Sequence, residues 1–225
     1  MFKYENRDCM DGMREYPDKY FELALIDPNY GICVNHNMGR RKGDKHSNYK
    51  PAVWDKESVS KTILDEIFRV SINQIIWGAN HFISKMPYAS SCWVMWDKGF
   101  SEDVSFAQFE LAWTSFNSTC KKYNESPNQA GRIHPTAKPI GLYKWLLSRF
   151  AKRGDKILDT HVGSASSIIA CLEMGFDVTG FELDKDYYNA SMKRINDYLS
   201  EPKFDLKIKE IESQQNIEDL FDSAK

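Results

Sequence analysis

Short apolar runs alternate with amphipathic stretches along most of the chain. Seven runs that are apolar or β-branched, and that end near Gly, Pro, Asp or Asn, predict strands at residues 2–5, 21–26, 74–77, 91–96, 110–114, 156–158 and 177–181. Between them, apolar residues at helical spacing predict helices at residues 59–70, 141–150, 166–174 and 185–199. Strands that alternate with helices indicate an α/β fold whose sheet is mostly parallel and covered on both faces.

Two long segments fit neither pattern and read as irregular loops, residues 33–53 and residues 117–133. A compact domain rarely keeps long loops without a use for them, so both are candidates for contact with DNA or another substrate. We expect one catalytic domain over residues 1–199, with these loops inside it, and a peripheral charged tail over residues 200–225.

Any affinity for a polyanion must come from a local patch of positive charge, and one segment of the chain has such a patch. The 225 residues carry a formal net charge of −2, so no global field attracts nucleic acid. The first long loop is locally basic, and its candidate DNA-binding residues are Arg40, Arg41, Lys42 and Lys45. A solvated loop is the alternative interpretation of the same charges.

Cysteine usage and hydropathy bear on the compartment. The five cysteines are widely spaced and form no C-x-x-C pair, which is typical of reduced thiols rather than of disulfides or a zinc site. No apolar stretch approaches membrane-spanning length, and the N-terminus lacks a signal-peptide pattern. We expect a soluble, cytoplasmic protein with no metal site and no membrane contact.

A carboxylate, a proline carbonyl and an aromatic ring follow the strand predicted at residues 21–26, as Asp27, Pro28 and Tyr30. A strand-ending turn is one interpretation. The other is chemical: the amino group of a DNA base is a poor nucleophile because its lone pair is delocalised into the ring. Acceptors for both N–H groups, here Asp27 and the Pro28 carbonyl, favour a pyramidal nitrogen, and Tyr30 can stack on the ring. A base inside a duplex must leave its stack to enter such a pocket.

A second corner follows the strand predicted at residues 156–158. Asp159 ends this strand, Gly163 and Ser164 precede a helix, and Glu182 ends the next strand. An acid at that place can accept both ribose hydroxyls of a nucleoside, and the helix N-terminus offers free N–H groups to a carboxylate. A dinucleotide-binding unit is disfavoured, because Ala165 and Ile168 stand where G-x-G-x-x-G requires glycine.

The motifs in this order resemble those of the permuted (beta-group) DNA amino-methyltransferases of bacteria and phages, which use S-adenosylmethionine. The segment Asp27-Pro28-Asn29-Tyr30 is similar to their D-P-P-Y motif. A histidine-proline-threonine-x-lysine-proline element follows at residues 134–139, and the cofactor loop comes last. Residues 76–82, 93–98 and 110–116 are also similar, and the resemblance covers residues 1 to about 197.

The resemblance implies a Rossmann-like methyltransferase fold, a twisted, seven-stranded, mostly parallel sheet with one antiparallel hairpin strand and helices on both faces. It implies that Asp27, Pro28 and Tyr30 hold the target base. The cofactor-binding residues that it implies are Asp8 and Cys9 at the adenine, Glu182 at the ribose, Asp159, Gly163 and Ser164 at the methionine end, and Thr136 and Lys138 near the carboxylate. Double-stranded DNA is the implied partner, while a homodimer and a cognate restriction endonuclease stay open.

Two residues depart from the family pattern, and one residue bears on the target base. Asn29 replaces the second proline of the methylation motif, and Ala165 replaces the second glycine of the cofactor loop. An aspartate that opens the motif goes mostly with adenine N6 in the family, so Asp27 favours site-specific N6-adenine methylation, with N4-cytosine as the alternative. C5-cytosine chemistry requires a thiol nucleophile, typically in a Pro-Cys pair, which this sequence lacks.

A non-enzymatic alternative belongs to a different class, a degenerate subunit that binds DNA or a partner methylase without turnover. The presence of Asp27, Tyr30, Lys138 and Glu182 counts against it.

Overall fold

The computed structural model describes residues 1–33, 53–101, 107–127, 133–134 and 136–200, which form one mixed sheet with α-helices on both faces. The sheet has eight strands in the order β1-β8-β7-β2-β3-β5-β4-β6. The strands are β1 Phe2–Asn6, β2 Phe21–Ile26, β3 Ser71–Trp77, β4 Trp93–Asp97, β5 Phe109–Thr114, β6 Lys121–Asn124, β7 Lys156–Asp159 and β8 Asp177–Glu182. The α-helices are α1 Cys9–Met13, α2 Lys61–Val70, α3 Ile140–Phe150, α4 Ser166–Glu173 and α5 Lys185–Leu199.

Strand direction decides which chain segments meet. In the described part of the sheet, β5 pairs antiparallel with both of its neighbours and every other pairing is parallel. The carboxyl ends of β1, β8, β7, β2 and β3 therefore lie along one edge, and the beginning of β5 lies there too. The chain leaves β7 towards β8 and leaves β2 towards β3, so the crevice between β7 and β2 is a topological switch point, where α/β folds bind ligands.

Two apolar layers hold the helices on the sheet. On one face, α3, α4 and α5 pack through Leu146, Ile169 and Ile195 among other buried side chains. On the other face, α1 and α2 pack through Met13 and Leu64. Each buried aliphatic side chain contributes roughly 1.5–3 kcal/mol of transfer free energy, so this double cover makes the sheet a rigid base for the loops at its edge.

The eighth strand is the main difference from the sequence prediction. The resemblance implied seven strands, and residues 117–133 read as irregular, but β6 lies within them and pairs parallel with β4. Its four residues Lys121–Asn124 are polar and alternate between half-buried and exposed, as suits a short edge strand. The single antiparallel strand and its β4–β5 hairpin, the mostly parallel sheet and the helices on both faces are confirmed.

The helices α1–α5 in the described part of the chain can be compared with the requirements for a membrane-spanning helix. None of them combines the length and the apolar character that crossing a bilayer requires.

Candidate active site

The turn after β2 is fixed by the segment at residues 55–59. The buried carboxylate of Asp55 accepts hydrogen bonds from the backbone N–H groups of Tyr30, at 2.8 Å, and Gly31, at 2.9 Å. The side-chain amide of Asn29 donates to the carbonyl of Glu57. Asn29 therefore replaces the rigidity of the family's proline with a hydrogen bond to a neighbouring segment.

Three neighbours hold the ring of Tyr30. Its hydroxyl donates to Asp27 Oδ1 at 2.6 Å, and its face stacks on His81, with ring centroids 5.4 Å apart and an interplanar angle of 16°. The ring also lies directly over Gly78, where an added Cβ would be 2.1 Å from Tyr30 Cε1. Gly78 also has a φ of +68°, so this position requires glycine both for its backbone and for the ring beside it.

Asp27 lies at one end of a line of alternating charges. Lys138 Nζ is 2.6 Å from Asp27 Oδ1 and 3.0 Å from Glu110 Oε2, and it donates to the Tyr30 hydroxyl at 3.0 Å. Lys98 Nζ lies 2.7 Å from Glu110 Oε1. The Lys138 side chain is 1% exposed, while those of Asp27 and Glu110 are 17% and 20% exposed. A buried ammonium requires such anionic partners to stay charged.

Burial and ion pairing act in opposite directions on these groups. Burial raises the pKa of Asp27, and the nearby Lys138 ammonium opposes the rise. Burial would also raise the pKa of Glu110, but Lys138 and Lys98 outweigh it and lower that pKa to about 2. For Lys138, burial lowers the pKa, and Asp27 and Glu110 more than reverse this effect. Glu110 and Lys138 are thus ionised at neutral pH.

The second corner is organised by Glu182 at the end of β8. One oxygen of its carboxylate accepts the backbone N–H of Gly163 and the other accepts that of Asp184, each at 2.9 Å. Burial raises its pKa, and the backbone N–H donors oppose the rise. Because each carboxylate oxygen has two lone pairs, both oxygens keep capacity for a hydroxyl donor.

The loop between β7 and α4 is held from inside by Asp159. This carboxylate accepts hydrogen bonds from the backbone N–H of His161, at 2.9 Å, and from the hydroxyl of Ser167. Burial raises the pKa of Asp159 to about 7. The loop then enters α4 through Ala165, whose φ of +63° lies in the left-handed region. The position at which the family has glycine therefore keeps a glycine-like backbone, at a cost of roughly 1–2 kcal/mol.

Both corners line one cavity of about 900 Å³. Asp27, Pro28 and Tyr30 lie on one side, and Gly163 and Glu182 lie on the other. Cavities of roughly 300–1,000 Å³ accommodate whole small molecules, so this one has room for a nucleoside cofactor and part of a second ligand.

A family model described as DNA methylase, for the N6 and N4 amino-methyltransferases, matches residues 35–193. This match spans more than half of the chain and includes the second corner. The chain belongs to the N6/N4 DNA methylase family.

Individual members and solved structures agree with this assignment. The chain is 33% identical over 193 residues to the type II methyltransferase M2.DpnII of Streptococcus pneumoniae, an alignment that covers 80% of this chain and 66% of that protein. The crystal structure of the M1.HpyAVI–SAM complex superposes with a TM-score of 0.56 at 16% identity, covering 86% of this chain and all of the other. The cytosine-N4-specific PvuII DNA methyltransferase gives 0.56 at 9% identity, covering 88% and 92%. At these identities the two structures establish the fold alone.

Most of the residues expected from the N6/N4 methylase motifs come together. The expected cofactor-binding residues that line the cavity are Asp8, Cys9, Thr136, Lys138, Gly163, Ser164 and Glu182. Asp159 differs, because it is only 2% exposed, lies behind the loop and directs its carboxylate to the loop itself. Lys138, expected at the cofactor's carboxylate, pairs with Asp27 and Glu110. The predicted DNA-binding residues Arg40, Arg41, Lys42 and Lys45 lie outside the described residues.

Sequence reasoning missed the partners of Asp27 and Tyr30. Glu110 and Lys98 belong to segments that the family motifs singled out, but no role was predicted for either. The sequence signal for Glu110 was a single acid at the start of an apolar strand. It indicates a place at the site only when β5 is known to run antiparallel, because the strand then begins at the edge where the neighbouring strands end. His81 also belongs to a segment that resembles the family, but no role was predicted for it, and Asp55 carried no local signal because it reaches Tyr30 through the tertiary fold.

Proposed function

We propose that this methylase transfers a methyl group from S-adenosylmethionine to the exocyclic N6 amine of an adenine in double-stranded DNA. The observation that carries the proposal is the shared cavity: an amine-binding corner and a nucleoside-binding corner line the same space. Two separate sites would leave the methyl group and the amine apart, whereas one cavity lets them meet at bonding distance.

The donor set fits S-adenosylmethionine. Glu182 accepts the ribose hydroxyls, Asp8 and Cys9 border the adenine, and the turn at Gly163 and Ser164 borders the methionine end. When bound there, the cofactor supplies an electrophilic methyl group on a sulfonium that departs as a neutral thioether. The N–H groups of Gly163 and Asp184 fix the Glu182 carboxylate before any ligand arrives, so little orientation is lost on binding.

The chain's contribution to the transfer is the placement of hydrogen-bond acceptors. Asp27 Oδ1 is occupied by Lys138 and Tyr30, so Oδ2 is the oxygen available to the target amine. With the Pro28 carbonyl as the second acceptor, both N–H groups are held and the nitrogen lone pair is directed at the methyl group. As positive charge develops on nitrogen, the Asp27 carboxylate stabilises it, and the methylated nitrogen then releases one of its two protons to solvent.

The DNA has to present its base outside the helix. The cavity lies at the sheet edge, and a base that is paired and stacked inside a duplex cannot reach Asp27 within it, so the target adenine rotates out of the duplex and stacks on Tyr30. Contacts to phosphates from the basic loop of Arg40, Arg41, Lys42 and Lys45 hold the flanking duplex.

The target base is decided by product analysis. Unmethylated duplex DNA is incubated with the protein and a tritiated methyl donor, digested to nucleosides and chromatographed. We expect the label in N6-methyladenosine, because an aspartate opens the methylation motif. Label in N4-methylcytosine would mean that the target base is cytosine and that the same mechanism acts on its N4 amine. Unlabelled DNA would support the alternative of a degenerate binding subunit.

A further inference from the structure

Asp27 has two oxygens in different surroundings, and this asymmetry has a cause. Oδ1 receives both the Lys138 ammonium and the Tyr30 hydroxyl, each at 2.6 Å. Among the described residues, no hydrogen bond reaches Oδ2, although Asp27 lines the cavity. Lys138 thus contacts one oxygen of Asp27, and its other partners bear on which oxygen that is.

Glu110 is one of these partners. Lys138 has three N–H hydrogens and three acceptors within 3.0 Å, namely Asp27 Oδ1, Glu110 Oε2 and the Tyr30 hydroxyl. Two of these contacts are hydrogen bonds, to Asp27 and Tyr30, and the third is an ion pair with Glu110. Without the Glu110 carboxylate, Asp27 would be the sole anion beside the ammonium, and Lys138 would no longer be attracted away from Oδ2.

Lys98 completes the arrangement from the other side. It pairs with the second oxygen of Glu110 at 2.7 Å, and its ammonium lies 5.2 Å from the ring centroid of Trp96. The four groups carry two negative and two positive charges. The cluster is therefore neutral before the amine develops its charge, which limits the penalty for burying it.

We infer that Glu110, balanced by Lys98, is a positioning residue that keeps Lys138 on Oδ1 of Asp27 and so reserves Oδ2 for the target amine. The inference rests on the proposed methyl transfer to an amine. Glu110 and Lys98 both line the cavity, and the inference assigns to them an effect on turnover that acts through Lys138 and Asp27.

The test is the pH dependence of kcat for tritiated methyl transfer in Glu110→Gln. We expect kcat to fall by at least 10-fold, because Lys138 then competes for Oδ2, while KM for the cofactor stays unchanged. The titratable and charged groups that face Asp27 are Lys138, Glu110 and Tyr30, with Asp159 and Tyr143 farther away. Removing the negative charge of Glu110 favours the ionised form of Asp27. The acid limb of the pH profile of kcat, where Asp27 becomes protonated, therefore moves by about one unit to lower pH.

Lys98→Met gives the opposite sign. The negative charge of Glu110 then lacks the compensating Lys98 ammonium and disfavours ionised Asp27 more strongly, so the acid limb of the pH profile moves to higher pH. Glu66→Gln is the matched control, because Glu66 is 16% exposed, pairs with Arg69 on α2 and does not itself line the cavity. The control should keep the wild-type profile. Calorimetry with S-adenosylmethionine confirms that each variant is folded.

Three outcomes would overturn the inference: wild-type kcat in Glu110→Gln, shifts of the same sign in both variants, or a shift in Glu66→Gln as large as theirs. If Glu110→Gln does not bind the cofactor, the pH profile of kcat in Lys98→Met becomes the only test. An acid limb at the wild-type pH in that variant would then overturn the inference. Wild-type protein that transfers no methyl group would instead refute the proposed function.

Discussion

At the scale of single residues, the proposed methyl transfer depends on one oxygen of Asp27, Oδ2, which accepts a hydrogen bond from the target amine. Replacing this residue in Asp27→Ala removes the acceptor of an amine hydrogen and the anion that stabilises developing charge. We expect methyl transfer to fall by at least about 100-fold, while cofactor binding persists because the second corner is untouched. Tritium incorporation and calorimetry measure the two effects.

The control for this loss is Asp65→Ala, which removes an exposed acid paired with Lys61 on α2. It should leave both measurements unchanged. Full turnover in Asp27→Ala would remove Asp27 from the mechanism, and a parallel loss of cofactor affinity would indicate a structural effect instead.

Glu182 is the corresponding residue of the cofactor corner. Glu182→Ala removes up to two charge-assisted hydrogen bonds to hydroxyls, each on the order of 1.5–3 kcal/mol, and it also releases the N–H groups of Gly163 and Asp184. We expect cofactor affinity to fall by at least 10-fold in calorimetry. Asp177→Ala, at the opposite end of the same strand, should bind normally; equal affinities in the two variants would exclude Glu182 from the site.

The sequence predicted which residues meet at the cavity where their position follows from local order along the chain. Asp27, Tyr30, Gly163 and Glu182 each end or follow an apolar run, and parallel strands bring those positions together. Glu110 was missed for the converse reason, since its place at the site depends on the reversed direction of β5. Asp159 also ends a strand, but it faces the loop rather than the cavity, and side-chain direction is not legible from the sequence.

At the scale of elements, the end of β3 supports the turn after β2. Gly78→Ala would place a methyl group within the Tyr30 ring and strain the left-handed backbone. We expect turnover to fall by at least 10-fold through displacement of Tyr30, with cofactor affinity retained. Gly99→Ala is a matched control, because Gly99 has a φ of +67° and none of the described residues lies within 4 Å of an added Cβ. Equal turnover in both variants would show that backbone strain alone acts.

The loop after β7 makes two opposing contributions to stability. Burial raises the pKa of Asp159 to about 7, so the native state binds the extra proton and this contribution is lost as the pH rises from about 4 to 7. Burial lowers the pKa of His161 to about 4, so its contribution is lost as the pH falls from about 6.5 to 4. The two dependences largely cancel in the wild-type protein.

In Asp159→Asn, the pH dependence of the free energy of unfolding should be the one that His161 causes, because the opposing contribution of Asp159 is removed. Relative to wild type, the free energy of unfolding of the variant should increase between pH 4 and pH 7, by roughly 1–4 kcal/mol. Urea unfolding without cofactor at several pH values measures it. A difference that stays constant with pH would mean that Asp159 is ionised throughout this range.

Elements with strong apolar periodicity were predicted closely. β2 and α5 have the predicted bounds, and most other predicted helices and strands shift by one to three residues at either end. Two short elements were missed: α1 has five residues, too few for a periodic signal, and β6 is a polar edge strand without apolar alternation. The edge strand is recognisable only through its pairing with β4.

At the scale of the whole molecule, domain organisation stays a proposal. The family match ends at residue 193 and α5 ends at Leu199, which supports a catalytic domain over residues 1–199 and a separate tail over residues 200–225. A chain truncated after Ser200 should therefore unfold at the same urea concentration as the full chain and bind S-adenosylmethionine equally well. A lower midpoint would make the tail part of the domain.

The net charge of −2 makes DNA affinity a local property, and the basic loop is the predicted source. Reversing Arg40, Arg41 and Lys42 to Glu should weaken duplex binding and reduce the slope of log affinity against log salt by about 0.9 for each phosphate that the loop no longer neutralises. The control reverses Arg14, Lys61 and Lys193, which are exposed and paired with acids on their own helices or helix ends. Both variants change the net charge equally, so a general electrostatic effect would alter both slopes alike. Fluorescence anisotropy with one duplex over a range of salt concentrations separates the cases, because a phosphate-binding loop flattens the slope in the first variant alone.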